Sequence, residues 1–250
     1  MEKNFLTYKM EINGLEEDVK FNTDTIEKVF MPFLRELTDL HLTVDRKIVV
    51  YIAGAPGIGK TILAQFLEKL SHERKEVDNI RALSMDGFHY PNDYLESNTI
   101  EHDGKIIPLS EIKGAPETFD VDKLIEKIRE VRQEGTDWNV YDRKIHDVLS
   151  DILPVEEDII LIDGNYLLLD EPNWTTVRVL CDYSVFIDVD DENLLRERLI
   201  NRKVVGGLSR EEAEKFFEFS DGKNIKRVRK NAAKSDEVWK ILADGDIEKQ

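Results

Sequence analysis

The chain has 250 residues, enough for one large domain or for one domain with an appendage. It carries 52 acidic and 35 basic side chains, which give a formal net charge of −17 at pH 7. A surface this acidic repels phosphate backbones and anionic lipid headgroups, so nucleic acid and membrane partners are disfavoured.

The first 45 residues carry no motif with a chemical meaning. Residues 5–21 contain two stretches around Asn13-Gly14, a dipeptide that favours tight turns, so a hairpin is predicted. A helix is predicted over about residues 25–40, with Pro32 as a candidate break point within it. The chain begins without the apolar segment of a signal peptide, and a cytoplasmic location is expected.

From residue 46 onwards, apolar strand patterns alternate with helical patterns. The strands show no polar face, as expected where helices cover a parallel sheet on both sides. We therefore predict an α/β main domain over 46–250 with a mostly parallel sheet, on which residues 1–45 pack as an appendage. The predicted strands are 47–53, 80–85, 158–162, 183–189 and 237–241, and the predicted helices are about 59–73, 121–133, 191–203, 209–219 and 221–233.

An eight-residue stretch between the first of these strands and its helix matches the phosphate-binding pattern G-x-x-x-x-G-K-[ST]. Glycines let the backbone direct several N–H groups at phosphate oxygens, and the following helix adds its positive N-terminal end. Lys60 is predicted to bridge the β- and γ-phosphates, and Thr61 to bind Mg²⁺. The pattern thus predicts a nucleoside triphosphate site formed by Gly54, Ala55, Pro56, Gly57, Ile58, Gly59, Lys60 and Thr61.

The remaining sequence reduces the number of reactions that such a nucleotide site could serve. It lacks the N-K-x-D tetrapeptide that reads guanine in GTPases, and it is short for a helicase or a motor ATPase. A small kinase remains, which needs a base for the acceptor hydroxyl. Asp86 follows the second strand, at the sheet edge where α/β proteins bind ligands, and is predicted to accept that proton. Phe88 and Tyr90 are predicted to wall the acceptor, and a solvated Asp-Gly turn is the alternative.

The D-G-F-H-Y-P-N stretch that begins at Asp86, together with the phosphate-binding loop, resembles the P-loop kinases that include uridine kinase, phosphoribulokinase and bacterial pantothenate kinase. Residues 113–120, K-G-A-P-E-T-F-D, are similar to the segment of pantothenate kinases that follows the acceptor loop. The overall likeness is greatest to nucleoside-kinase-like bacterial proteins often labelled fructose-transport-system kinases. The resemblance implies a nucleoside monophosphate kinase-like fold, an acceptor-binding segment at 86–120, and Mg²⁺-dependent transfer of the ATP γ-phosphate to an alcohol group of a small molecule.

Asp163 ends an apolar strand, a pattern that predicts a second acidic group near Mg²⁺, although the family often carries Glu there. Arg198 and Arg202 lie four residues apart, hence on one helix face, and resemble the lid arginines that neutralise the transferred phosphoryl group. The resemblance implies acceptor contacts from His89, Tyr141, Arg143, His146 and Asn224, in addition to Phe88 and Tyr90.

Residues 196–234 carry 12 basic and 6 acidic side chains, against the trend of the chain. This segregation favours a positively charged clamp over the triphosphate, with a lid at about 196–220 that hinges at Gly206-Gly207. Two other classes stay open: a nucleotide-dependent switch or ATPase without an acceptor, and a non-catalytic nucleotide-binding protein. The acceptor stays open among nucleosides, sugars and pantothenate-like alcohols, as does the oligomeric state, for which a homodimer is the commonest alternative.

Overall fold

The computed structural model describes residues 3–12, 15–142 and 144–250 and is built around a six-stranded sheet. The strands are β1 Phe5–Ile12, β2 Leu15–Asn22, β3 Ile48–Gly54, β4 Ile80–Ser84, β5 Thr99–His102, β6 Lys105–Pro108, β7 Thr136–Asp142, β8 Asp147–Val155, β9 Ile159–Gly164, β10 Tyr183–Val189, β11 Glu237–Ile241 and β12 Ile247–Lys249. The α-helices are α1 Thr23–Thr25, α2 Met31–Val44, α3 Lys60–Glu73, α4 Asn92–Ser97, α5 Val121–Glu130, α6 Thr175–Arg178, α7 Glu192–Val205, α8 Arg210–Phe216 and α9 Gly222–Asn231.

The central sheet has the strand order β12-β11-β10-β3-β9-β4. All neighbouring strands pair in parallel except β12, which lies antiparallel to β11 at one edge. The predicted α/β fold with a mostly parallel sheet is therefore confirmed.

Alternate residues of β3 enter two different hydrophobic cores. Val50 and Ile52 pack in the core that contains α2 and α3, whereas Val49 and Tyr51 pack in the core that contains α5. All four side chains are fully buried. This double burial explains why the strand is apolar throughout instead of alternating.

The N-terminal hairpin shares the core of the main sheet. Its strands pair in register from Phe5 opposite Asn22, and its predicted turn at Asn13-Gly14 lies outside the described residues. The ring of Phe21 stacks on Phe66 of α3 with 4.0 Å between the ring centroids. Aromatic stacking thus fixes the hairpin on the helix that follows the phosphate-binding loop.

The helix that follows the hairpin is not broken at Pro32, so that expectation was wrong. Helical structure runs through α1, a π-helical turn at Ile26–Phe30, and α2. Pro32 lies in the first turn of α2, where a missing backbone N–H is tolerated because the widened turn before it has already changed the hydrogen-bonding pattern.

Two hairpins that the sequence analysis did not predict lie within or beside the predicted acceptor-binding segment. β5 pairs with β6 through a two-residue turn, and β7 pairs with β8. The β7–β8 hairpin packs against the 3₁₀ turn Met85–Phe88, which follows β4. None of the helices in the described part of the chain combines the length and the apolar composition that crossing a bilayer requires.

Candidate active site

The phosphate-binding loop leaves the end of β3 and enters α3 at Lys60. Gly57 and Gly59 have φ values of 78° and 104°, which residues with a Cβ adopt only with strain. Because α3 begins at Lys60, its first backbone N–H groups lie at the end of the loop, where they favour an anion. The eight residues of the predicted motif thus form the end of β3, the loop and the start of α3.

The ammonium group of Lys60 is buried beside this loop. Its Nζ donates hydrogen bonds to the backbone oxygen of Ala55 at 3.0 Å and to Oδ1 of Asn165 at 2.7 Å. Burial lowers the pKa of Lys60 to about 8, and the charges of Asp163 and Asp86 act in the opposite direction. Both hydrogen-bonding partners are neutral, so the ammonium charge is available to an anion.

Asp163 and Thr61 meet where the first turn of α3 faces the end of β9. The Thr61 hydroxyl donates to Oδ2 of Asp163 at 2.9 Å, and Asp163 is 4% exposed. Burial raises the pKa of Asp163 to about 7, helped by the negative charge of Asp86 and opposed by Lys60. A hydroxyl and two neighbouring carboxylates are the oxygen donors that Mg²⁺ prefers, so these residues fit the predicted metal.

Asp86 lies in the 3₁₀ turn after β4, and its N–H donates to the Ser84 hydroxyl at 3.3 Å. The last residue of β4, Ser84, pairs with Asp163 of β9, so Asp86 lies at the same end of the sheet as Asp163. Its charge also raises the pKa values of both Lys60 and Asp163. This end of the sheet is where a base for an acceptor hydroxyl is required.

Gly87 holds this turn against the β7–β8 hairpin. A Cβ added there would lie 2.2 Å from the backbone oxygen of Asn139. We expect Gly87→Ala to lower the free energy of unfolding by about 2 kcal/mol or more, because the backbone must shift to relieve the overlap. Urea titration measures the loss. Gly206→Ala is the matched control, since a Cβ there meets its nearest atom at 3.3 Å, and an equal loss in both variants would contradict the argument.

The aromatic residues after Gly87 have different environments. Phe88 is 1% exposed and packs edge-on against Trp138, so the expectation that it walls the acceptor was wrong: its ring supports the turn from the core. His89 lies over Phe119, donates from Nδ1 to the backbone oxygen of Asp86 at 2.9 Å, and has a pKa lowered by burial. Tyr90 is partly buried and stacks on Tyr94 with 4.2 Å between the centroids.

The β7–β8 hairpin brings a second group of predicted residues to this region. The ring of Tyr141 lies 5.3 Å from that of His89. His146 is exposed in the hairpin turn with φ 53°, and its backbone oxygen accepts from Asn92 Nδ2 at 3.1 Å. The structure thus gives a partner to the His146 carbonyl rather than to its ring. Arg143 lies outside the described residues.

Lys113 joins these segments, and the sequence analysis gave it no role. Its Nζ donates to Oδ1 of Asn92 at 2.6 Å and to the backbone oxygen of His146 at 2.7 Å, and lies 5.1 Å from the centre of the Tyr141 ring. One half-buried ammonium therefore fastens the hairpin turn to the segment that carries Asp86.

We expect Lys113→Met to raise the KM for the acceptor about tenfold while the KM for ATP stays within about threefold, because the two charge-assisted hydrogen bonds that join the hairpin turn to Asn92 are lost. Steady-state kinetics with each substrate varied in turn measure the two values. Lys105→Met, at an exposed position of β6, is the control. A rise confined to the KM for ATP would contradict this role.

The two predicted lid arginines lie on α7 and face the phosphate-binding loop. Arg198 donates from Nη1 to the backbone oxygen of Ile58 at 3.2 Å. Arg202 lies one turn further along the same face of α7, and its charge lowers the pKa of Lys60. Like charges repel each other, and a polyanion bound between them removes the repulsion.

Residues after the lid complete the region. Asn224 is 5% exposed on α9 and donates to the Ser220 hydroxyl at 3.4 Å. Asp221, which precedes it, is also buried and lies 3.7 Å from Nζ of Lys203. Oδ2 of Asp221 has no hydrogen-bonding partner among the described residues. A carboxylate oxygen without a donor at the foot of the lid is a further polar group that the sequence analysis did not assign.

Comparison with known proteins places the chain in a family. Residues 49–248 match the model of the "Phosphoribulokinase / Uridine kinase family". The chain belongs to this family. Membership implies a phosphotransferase that uses ATP, typically with Mg²⁺, on a small-molecule substrate.

Individual relatives cover most of the chain. The Escherichia coli K12 protein named "Uncharacterized protein YggC" is 37% identical over 95% of this chain and 96% of its own length. The Schizosaccharomyces pombe protein named "Putative uridine kinase C227.14" is 31% identical over 79% of this chain and 85% of its own. A crystal structure from Silicibacter sp. TM1040, described as a "putative fructose transport system kinase", has 27% identity and a TM-score of 0.68, and the match covers 81% of this chain and 98% of that one.

Proposed function

We propose that this protein transfers the γ-phosphate of ATP to an alcohol group of a small metabolite. The observation that carries the proposal is the position of Asp86, which directly follows β4 at the end of the sheet where β9 ends just after Asp163 and β3 leads into the loop of Lys60. A hydrolase that activates only water or a binding protein has no need for an acid that faces both the phosphate-binding loop and a separate acceptor segment.

Each group then has one task in the transfer. Asp86 accepts the proton of the acceptor hydroxyl as its oxygen bonds to the γ-phosphorus and the bond from phosphorus to the ADP oxygen breaks. Lys60 binds the phosphate oxygens, and Thr61 and Asp163 hold Mg²⁺, which supplies charge neutralisation when bound. Arg198 and Arg202 stabilise the charge on the transferred group.

The acceptor side consists of two layers. His89 and Tyr141 lie on the side of the β7–β8 hairpin, Tyr90 stacks on Tyr94 of α4, and Asn224 lies on the side of α9. Closure of α7 and α8 over this space excludes water and suppresses hydrolysis of ATP. The exposed turn that holds His146 closes the first layer.

The test is an ADP-release assay over nucleosides, ketoses, pentose phosphates and pantothenate. We expect one class to raise ADP release at least about tenfold over the rate without acceptor, and Lys60→Met to abolish the increase. Product analysis by mass spectrometry must show a phosphorylated acceptor. ADP release that is the same with and without every acceptor, and that rises with a protein partner, would replace this proposal by the ATPase alternative.

A further inference from the structure

A cavity of about 200 Å³ lies between the β5–β6 hairpin and α9. Its volume corresponds to about seven water molecules, which is the space that a monosaccharide-sized group occupies. The wall mixes polar groups with the apolar side chains of Ile100, Ile112 and Ala115. The polar lining residues are Glu101, His102, Glu117, Ser220, Lys223, Asn224 and Arg227.

Tyr166 connects this cavity with the proposed reaction centre. It follows β9 three residues after Asp163, and its hydroxyl donates to the backbone oxygen of Gly114 at 2.6 Å, next to the cavity wall at Ala115. Its ring lies 5.6 Å from that of Phe119, which lies 3.9 Å from the ring of His89. His89 in turn donates to the backbone oxygen of Asp86. A short series of contacts therefore joins the cavity wall to the residue that would deprotonate the acceptor.

Both basic residues that line the cavity are already neutralised. The guanidinium of Arg227 donates to Glu171 at 2.5–3.0 Å through Nε and Nη2 and to Glu117 at 2.6 Å through Nη1. Nζ of Lys223 lies 2.5 Å from Asp103. These pairs already compensate both cations, so an entering phosphate or carboxylate would have to compete with the carboxylates of the protein.

One acidic group of the wall has no basic partner. The lining holds two acids, Glu101 and Glu117, and two bases, Lys223 and Arg227, and both bases are paired with carboxylates, which include Asp103 and Glu171 outside the lining. Glu101 lines the cavity from the exposed side, and no ion pair joins it to a basic side chain among the described residues. An anionic group that entered would meet uncompensated like charge in a partly desolvated space, which is costly.

We propose that this cavity binds the part of the acceptor remote from the reacting hydroxyl, and that this part is uncharged and polyhydroxylated. The inference rests on the proposed kinase function and narrows it. Carboxylates and the amide of Asn224 pair with hydroxyl groups, and the three apolar side chains contact the carbon skeleton. Acceptors that carry a phosphate or a carboxylate at this position are disfavoured.

The experiment compares acceptors in matched pairs that differ by one anionic group placed away from the primary hydroxyl: pantothenyl alcohol with pantothenate, uridine with orotidine, and glucose with glucose 1-phosphate. ADP release gives kcat/KM for each compound, and isothermal titration in the presence of ADP gives its affinity. We expect the uncharged member to exceed the anionic member at least about tenfold in every pair with activity or binding.

A charge reversal at the rim of the cavity tests whether negative charge causes the expected preference for uncharged acceptors. Glu101→Lys is expected to lower the KM or Kd of the anionic member at least about fivefold, because it replaces like charge by opposite charge. Glu248→Lys, an exposed position on the edge strand β12, makes the same exchange away from the cavity and leaves the ratio unchanged.

The outcomes separate this inference from the proposed function. Preference for the anionic members, equal use of both members, or no binding of any uncharged member would overturn the inference. The kinase proposal survives the first two of these results, because a phosphorylated product still forms. It fails on its own if no compound of the wider acceptor panel raises ADP release above the rate without acceptor.

Discussion

Replacing Asp86 by Asn is expected to lower the rate of phosphoryl transfer at least about a hundredfold while the Kd for ATP stays within about threefold. Asn keeps the shape of the side chain but cannot accept the proton of the acceptor hydroxyl at neutral pH. The nucleotide contacts belong to Lys60 and the loop around it, so binding is largely retained. Single-turnover kinetics measure the transfer, and isothermal titration measures the affinity.

Asp93→Asn is the matched control, because Asp93 is exposed on α4 and lies seven positions along the same segment. The control removes the same charge from the acceptor side, so it corrects for any change in the surrounding potential. Unchanged turnover in Asp86→Asn would show that another group takes the proton. A loss of ATP binding as large as the loss of rate would instead assign Asp86 to the metal site.

The phosphate-binding half of the molecule was predictable because local rules fix it. A strand buried on both faces, a loop with glycines at positive φ and a helix that starts at Lys60 all follow from neighbouring residues. The charge of the lid is also visible in composition alone. No long-range contact is needed to recognise either feature.

The acceptor half of the molecule was harder to predict, although the sequence contains one signal for a hairpin there. Asp103-Gly104 forms the turn of the β5–β6 hairpin with φ 51° and 74°, the positive values that this dipeptide favours in two-residue turns. The adjoining strands have only four residues each and an irregular pattern, so the turn alone did not suggest a hairpin. The β7–β8 hairpin is longer, but its pairing shifts register between Trp138 and Val140, which obscures the alternation.

The direction in which a side chain points is the second property that could not be predicted from the sequence. Phe88 stands between two residues of the candidate site, and only the position of Trp138 across the hairpin draws its ring into the core. The pairing of Arg227 with Glu117 and Glu171 joins residues 110 and 56 positions apart. Such contacts depend on the tertiary packing, and they decide which charges in the acceptor cavity remain available to a ligand.

The second prediction with a large expected effect concerns Arg202, whose charge acts on Lys60. We expect Arg202→Gln to lower kcat about a thousandfold with little change in the KM for the acceptor, because its charge stabilises the transferred phosphoryl group mainly in the transition state.

Arg210→Gln serves as the control, since Arg210 is exposed at the start of α8 and pairs with Glu197 and Glu214 at the surface, where such pairs contribute little. Both variants remove one positive charge from the same lid. A loss of activity in Arg202→Gln alone would therefore show that the position of the charge matters, and not the net charge of the lid. If the two variants lose activity equally, the lid acts through its overall potential, and high salt should then reduce the wild-type rate by a similar factor. If only the KM for ATP rises in Arg202→Gln, the arginine binds the nucleotide equally in the ground state and the transition state, and its proposed part in the transfer step is wrong.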